Sequence, residues 1–228
     1  VFDTPWPAVW MNLNLQLTYS WQTRLGMGEF MQPLLDALWD NRINLTLNVT
    51  DNPGQESWTD CMAVARHCGY DLRCNLDPKL AASNQYEVGN LIWLLFYCHQ
   101  YCEAYGDDIQ MKERVFPLLK NAVNLFFRIR TENSDGTYGL PSTASPEYNE
   151  KRGEIGANSN YDLANLKWGL QTLIDLDAQY RINDDLLPQW KDFLERLVPF
   201  RYSEKTGFKV SDKYEFSITN HRHYSHLF

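Results

Sequence analysis

The stretch VGNLIWLLFYCHQYCEAY, residues 88–105, carries an apolar side chain on nearly every side of a helical wheel. Such a segment buries itself between neighbours rather than laying one stripe on a surface. Cys98 and Cys102 stand four apart in it and read as small hydrophobes on one helix face. Outward from this centre, residues 15–25, 30–39, 114–129, 163–180 and 186–197 place apolar residues three and four apart, which predicts further helices. Asp162 and Asn183 are the expected N-caps of the last two. Strand signals are weak, apart from an apolar alternation around Gly207 that predicts a short hairpin within 200–210. The expectation is an all-α domain of antiparallel helix pairs, and no 34- or 40-residue repeat points to a solenoid.

Two irregular stretches interrupt the helices. Residues 48–78 are rich in Asn, Asp and Gly, and residues 133–156 contain Gly136, Gly139, Pro141 and Pro146. A loop of two dozen residues inside a compact domain is usually functional or disordered.

Composition narrows the partners. The 228 residues carry a formal net charge of -8, and no basic stripe is present to follow a phosphate backbone, so nucleic acid is not an expected partner. No apolar run reaches the length of a membrane span, so no membrane partner is expected either. Aromatic residues make up 14%, with 8 Trp and 13 Tyr, side chains that suit sugar rings as well as cores. The 5 Cys lack a C-x-x-C pair, so neither a disulfide framework nor a zinc ribbon is signalled, although a bridge between two of Cys61, Cys68 and Cys74 stays open.

Three polar clusters lie far apart. In Asn12-Leu13-Asn14-Leu15-Gln16, positions i and i+2 face one point only where the chain is extended or just entering a helix. Asn12 and Asn14 therefore read as the start of a helix running through Trp21, with a plain N-cap as the other reading of Asn12. Leu140-Pro141-Ser142-Thr143-Ala144-Ser145-Pro146-Glu147 is a loop fixed by two prolines and ending in a carboxyl group. Partial desolvation raises the pKa of such a Glu towards that of a general acid, and a surface carboxylate is the plainer reading. His221-Arg222-His223-Tyr224-Ser225-His226-Leu227 offers forked guanidinium donors and imidazoles for sugar hydroxyls. It lacks the H-E-x-x-H spacing, so no metal is expected there.

In this order the three clusters resemble glycoside hydrolase family 95, the α-L-fucosidases and α-L-galactosidases. Tyr19, and Trp93 with Tyr105-Gly106-Asp107 behind it, extend the likeness over nearly the whole chain. The resemblance implies that residues 1–228 form one domain, most of an (α/α)6 catalytic barrel whose remainder lies beyond 228. It implies an exo-acting, inverting hydrolase, without cofactor or metal, that removes terminal α-L-fucose or a related sugar such as α-L-galactose from an oligosaccharide or polysaccharide. Glu147 matches the general acid. Asn12 and Asn14 match amides that hold the attacking water for an Asp base expected beyond the last His, so residues 1–228 alone would be inactive. Arg222 and His223 match sugar-binding residues, with Trp93 as an apolar platform. Trp10 stands where the family carries a sugar-binding His, and a catalytically inactive carbohydrate-binding relative of the same barrel is the alternative. A secreted or periplasmic parent protein is the setting this implies.

Overall fold

The computed structural model describes residues 8–76, 86–144 and 155–215. The described chain is built of helices, with strands confined to two-residue pairs. Val9–Trp10 (β1) pairs antiparallel with His67–Cys68 (β2), and the chain then enters a short helix, Asn14–Tyr19 (α1). The predicted helix to residue 25 stops here. Thr18 and Ser20 turn their hydroxyls back onto the carbonyls of Asn14 and Leu17, and Gly26 at φ 72 reverses the chain.

Gln32–Asp40 (α2) and Arg42–Thr50 (α3) follow, joined through Asn41 alone. The long apolar run becomes Asn90–Tyr105 (α4), buried along most of its length as its composition requires. It ends on Gly106 in the left-handed region at φ 66, which lets the turn close on the carbonyl of Cys102. Asp108–Gln110 (α5) leads through a widened turn, Met111–Val115, into Phe116–Ile129 (α6). Pro117 explains the widening, because its nitrogen has no hydrogen to donate to the preceding turn.

Thr131–Glu132 (β3) and Tyr138–Gly139 (β4) form a hairpin before Asn160–Tyr180 (α7), Leu187–Arg196 (α8) and the hairpin of Tyr202–Ser203 (β5) with Gly207–Phe208 (β6). That last hairpin lies where the sequence predicts one.

Two caps differ from expectation. Ser159, not Asp162, caps α7: its hydroxyl accepts the Asp162 amide at 3.1 Å and donates to the Asp162 carboxyl at 2.8 Å. The Asp sits one turn in, where a carboxylate meets the positive helix end. Asn183 is at φ 58 and caps nothing; Asp184 instead accepts the amide of Leu186 at 2.9 Å, just before α8.

Helix packs on helix throughout. α7 lies against α6 and α8, and α4 against α1, α6 and α7. Gly169 on α7 permits a close approach, since a Cβ there would stand 3.0 Å from Val123 of α6 and 3.5 Å from Ile92 of α4. All 5 cysteines are free thiols, and Cys98 and Cys102 are buried on α4 as expected. Among the described residues no helix is long and apolar enough to cross a membrane, and no group of 3 or more His, Cys, Asp or Glu is placed to hold a metal ion.

Candidate active site

The β1–β2 pairing sets the first cluster in place. Trp10 lies opposite His67, with ring centroids 3.9 Å apart, and the Arg66 guanidinium stands 5.3 Å above the Trp10 ring. The Met11 amide donates to the carbonyl of Arg66 at 2.8 Å, and Gln16 reaches back to the Met11 carbonyl at 2.6 Å. These bonds pin the turn between them and drive Asn12 fully into the interior.

There the Asn12 amide donates to the Glu87 carboxyl and, at 3.0 Å, to Asn90 Oδ1. Asn90 Nδ2 donates to the same Glu87 oxygen at 3.1 Å, and the Tyr161 hydroxyl donates to Asn90 Oδ1 at 2.8 Å. Glu87 and Asn90 come from the entry of α4, and Tyr161 from the first turn of α7. Trp93, one turn further along α4, is buried with its ring 5.5 Å from that of Tyr161. Gly89 lets these elements meet: a Cβ there would stand 2.9 Å from both the Tyr161 ring and Asp162.

Two carboxyl groups without exposure stand at this point. Burial pushes Glu87 up to about 7, opposed by the Arg66 charge and by the amides of Asn90 and Asn12, with Asp162 adding to the rise. Burial likewise raises Asp162 to about 6, against hydrogen bonds from Thr143, Ser159 and the Gly89 amide. Desolvation also lifts the Tyr161 hydroxyl well above its ordinary range, so it remains a donor. Among the described residues Asn12 Oδ1 and Glu87 Oε1 are buried without a hydrogen-bond partner. Buried polar atoms are nearly always paired, and an unpaired one calls for a physical reason such as strain, a catalytic role or a bound water.

The second cluster begins beside this network. Thr143 donates to the Asp162 carboxyl at 2.5 Å, and the Ala144 amide donates to the carbonyl of Tyr86, the neighbour of Glu87, at 3.0 Å. Glu147, three residues on, lies outside the described residues. Asp212, nine residues ahead of the third cluster in sequence, is tied in through residues 155–158. The Asn158 amide donates to the Leu140 carbonyl at 3.1 Å, its side chain donates to Asp212 at 2.6 Å, and the Asp212 amide returns to the Ala157 carbonyl at 3.0 Å. Arg222 and His223 also lie outside the described residues.

The two Asn residues of the first cluster stand in different surroundings. Asn12 is interior, while Asn14 opens α1 on the exposed side and lines a surface groove with Leu17, Trp21 and Leu25. Trp10 is half-buried, against His67 and Arg66. Glu87, Asn90 and Tyr161 escape a reading of the sequence, and Asp162 reads only as a cap. The available signal was a charged residue, Glu87, directly ahead of an apolar run that leaves it no exposed face.

Comparison with known proteins follows the same lines. The sequence matches the family described as Glycosyl hydrolase family 95 catalytic domain over residues 1–228. It is 24% identical over 242 residues to Alpha-L-fucosidase 2 of Arabidopsis thaliana, covering 98% of this chain and 27% of that protein. The chain thus spans about a quarter of the length of that curated relative. A solved structure described as Putative kojibiose phosphorylase from human microbiome superposes with a TM-score of 0.52 at 13% identity, covering 78% of this chain and 30% of that one. The likeness places the helices as part of an (α/α)6 toroid. With a match from first residue to last, the chain belongs to the glycoside hydrolase family 95 catalytic domain.

Proposed function

We propose that the complete protein is an exo-acting, inverting glycoside hydrolase that removes terminal α-L-fucose, or a related sugar such as α-L-galactose, from glycans. In this reading Glu147 protonates the glycosidic oxygen as the bond to the anomeric carbon breaks. Asn12, the interior member of the first pair, holds the attacking water on the opposite face of the ring for a carboxylate base. Inversion requires roughly 6.5–9.5 Å between the acid and the base, which leaves room for that water. Arg222 and His223 bind the sugar hydroxyls, with Trp93 and Trp10 on the apolar side.

One observation carries the proposal: the roots of three clusters far apart in sequence are tied to one another. Asn12 is bonded to Glu87, the stem of the Glu147 loop is bonded to Tyr86 and Asp162, and the segment ahead of Arg222 is bonded to Asn158, which also holds Leu140. These ties support the reading that the three clusters serve one site. The family and its curated fucosidase relative support the substrate class.

The test is hydrolysis of nitrophenyl α-L-fucoside and α-L-galactoside by the complete protein, with product anomers followed by NMR. The first product carries the anomeric configuration opposite to the substrate, and Glu147→Gln lowers turnover on natural linkages by roughly 10²–10⁴-fold. Initial release of the substrate's own anomer contradicts inversion. Sugar binding with no hydrolysis, unchanged by Glu147→Gln, identifies a carbohydrate-binding relative instead.

A further inference from the structure

We propose that Glu87 is a positioning residue for the attacking water: it holds the Asn12 amide so that Asn12 Oδ1 accepts a hydrogen from that water. The inference rests on the hydrolase reading above and adds to it a residue that no cluster in the sequence contains.

The geometry leaves the Asn12 amide one orientation. Both hydrogens of its NH2 group are engaged, one by Glu87 Oε2 and one by Asn90 Oδ1 at 3.0 Å. Asn90 cannot yield, because its own NH2 group donates to Glu87 and its oxygen also accepts from Tyr161 at 2.8 Å. Turning the Asn12 amide over would set its oxygen against a carboxylate and a second carbonyl, acceptor against acceptor. Oδ1 is therefore held away from this triad, buried and without a partner among the described residues. A water there would satisfy it.

Charge adds to orientation. A carboxylate that accepts an amide N–H draws electron density towards the carbonyl oxygen, which then accepts more strongly from water. An unaided amide is a weak acceptor, so the carboxylate behind it matters. Glu87 neither takes nor gives a proton in the cycle. The water oxygen bonds to the anomeric carbon, the glycosidic pair leaves with the proton of Glu147, and the water proton passes to the base.

The groups facing Glu87 are Arg66, which favours its charged form, Asp162, which opposes it, and the neutral Tyr161 hydroxyl. Protonation of Glu87 turns an acceptor into a donor and releases the Asn12 amide. Its rise to about 7 places that loss on the acid side of neutrality.

The experiment compares Glu87→Gln, Glu87→Asp, Asn12→Ala and Glu147→Gln in the complete protein on nitrophenyl α-L-fucoside and a natural fucosyl oligosaccharide, with folding checked by circular dichroism. Glu87→Gln lowers kcat roughly 10–100-fold, the effect of removing a partner that orients a reacting group. KM stays within about twofold, the mark of an interaction made only in the transition state. The acid limb of its pH profile moves to lower pH, and Glu87→Asp restores part of the rate. Wild-type turnover and an unmoved acid limb in Glu87→Gln, beside inactive Asn12→Ala and Glu147→Gln, overturn this inference alone. Full activity in Glu147→Gln on the natural oligosaccharide, or in Asn12→Ala, overturns the roles that the proposed mechanism gives those residues, and no hydrolysis by the wild type overturns the hydrolase reading itself. Should Glu87→Gln not fold, the wild-type profile decides. An acid limb near pH 7 agrees with the role of Glu87, and a profile flat down to about pH 5 contradicts it.

Discussion

At its C-terminal end α4 closes on Gly106, and the Tyr105 hydroxyl beside it accepts the Gly28 amide at 2.9 Å. Polar side chains crowd that end too. Tyr101 and Gln110 donate to Gln32, Gln32 donates to Asp36 at 2.8 Å, and Arg114 reaches Asp36 at 2.6 Å. All are part-exposed, so water can replace any partner that is lost. At the N-terminal end Asn12, Glu87, Asn90 and Asp162 are fully buried and carry two raised carboxyl pKa values, and Asn12 Oδ1 and Glu87 Oε1 have no partner among the described residues. One helix thus ends in two polar clusters of opposite kind. The exposed one can exchange its partners for water. The buried one holds charge where charge is unfavourable, which a fold keeps only when something else gains from it.

This contrast predicts that substitutions at the two ends separate stability from activity. The largest effect is expected for Asn12→Ala, which removes the amide that the proposal assigns to the attacking water. Turnover of fucosyl substrates falls roughly 10²–10³-fold, as when one preorganised group at a reacting centre is removed, and steady-state kinetics on the complete protein measure it. Glu87→Gln comes next, and its stability effect depends on pH. The folded value of about 7 lies above the ordinary 4.5, so the folded chain keeps this proton to higher pH than the unfolded chain does. Its favourable contribution is whole below about pH 4.5 and is lost as pH rises through about 7. Removing the charge therefore raises stability at about pH 8, by at most about 3 kcal/mol, and flattens the fall between about pH 5 and 8 in thermal unfolding. A variant less stable than wild type at the higher pH would remove the contrast.

At the other end, Gly28→Ala sets a methyl group inside the Tyr105 ring and displaces it from the Gly28 amide. A loss of about 1–2 kcal/mol with unchanged kcat is expected from denaturant unfolding and kinetics together. The smallest effect belongs to Arg114→Ala. Its ion pair with Asp36 is part-exposed, so less than about 1 kcal/mol should be lost. Loss of turnover in either variant would mean that the C-terminal end of α4 also serves the chemistry.

The same contrast explains what the sequence reveals. Burial on every side of α4, the stripe of α6 and the length of α7 follow from the spacing of Leu, Phe and Val, a local property. α3 hides because Ile43, Thr46, Val49 and Thr50 are β-branched and its apolar residues nearly alternate, yet packing of Leu45 and Val49 makes a helix of it. Asp162 reads as a cap because Asp usually is one; only Thr143, nineteen residues earlier, shows that it lies inside. Glu87 is silent for the same reason. Its partner Asn12 is 75 residues away, and no local pattern announces a carboxyl group that tertiary contacts will bury.

The central claim is that the buried polar end of α4 is where a sugar meets its attacking water. A crystal structure of the complete protein with a fucose-shaped iminosugar tests it most directly. The account predicts the sugar ring beside Trp93, with a water about 3 Å or less from Asn12 Oδ1 and from the anomeric position. A sugar bound on another face, with Asn12 Oδ1 touched by neither water nor ligand, would contradict it.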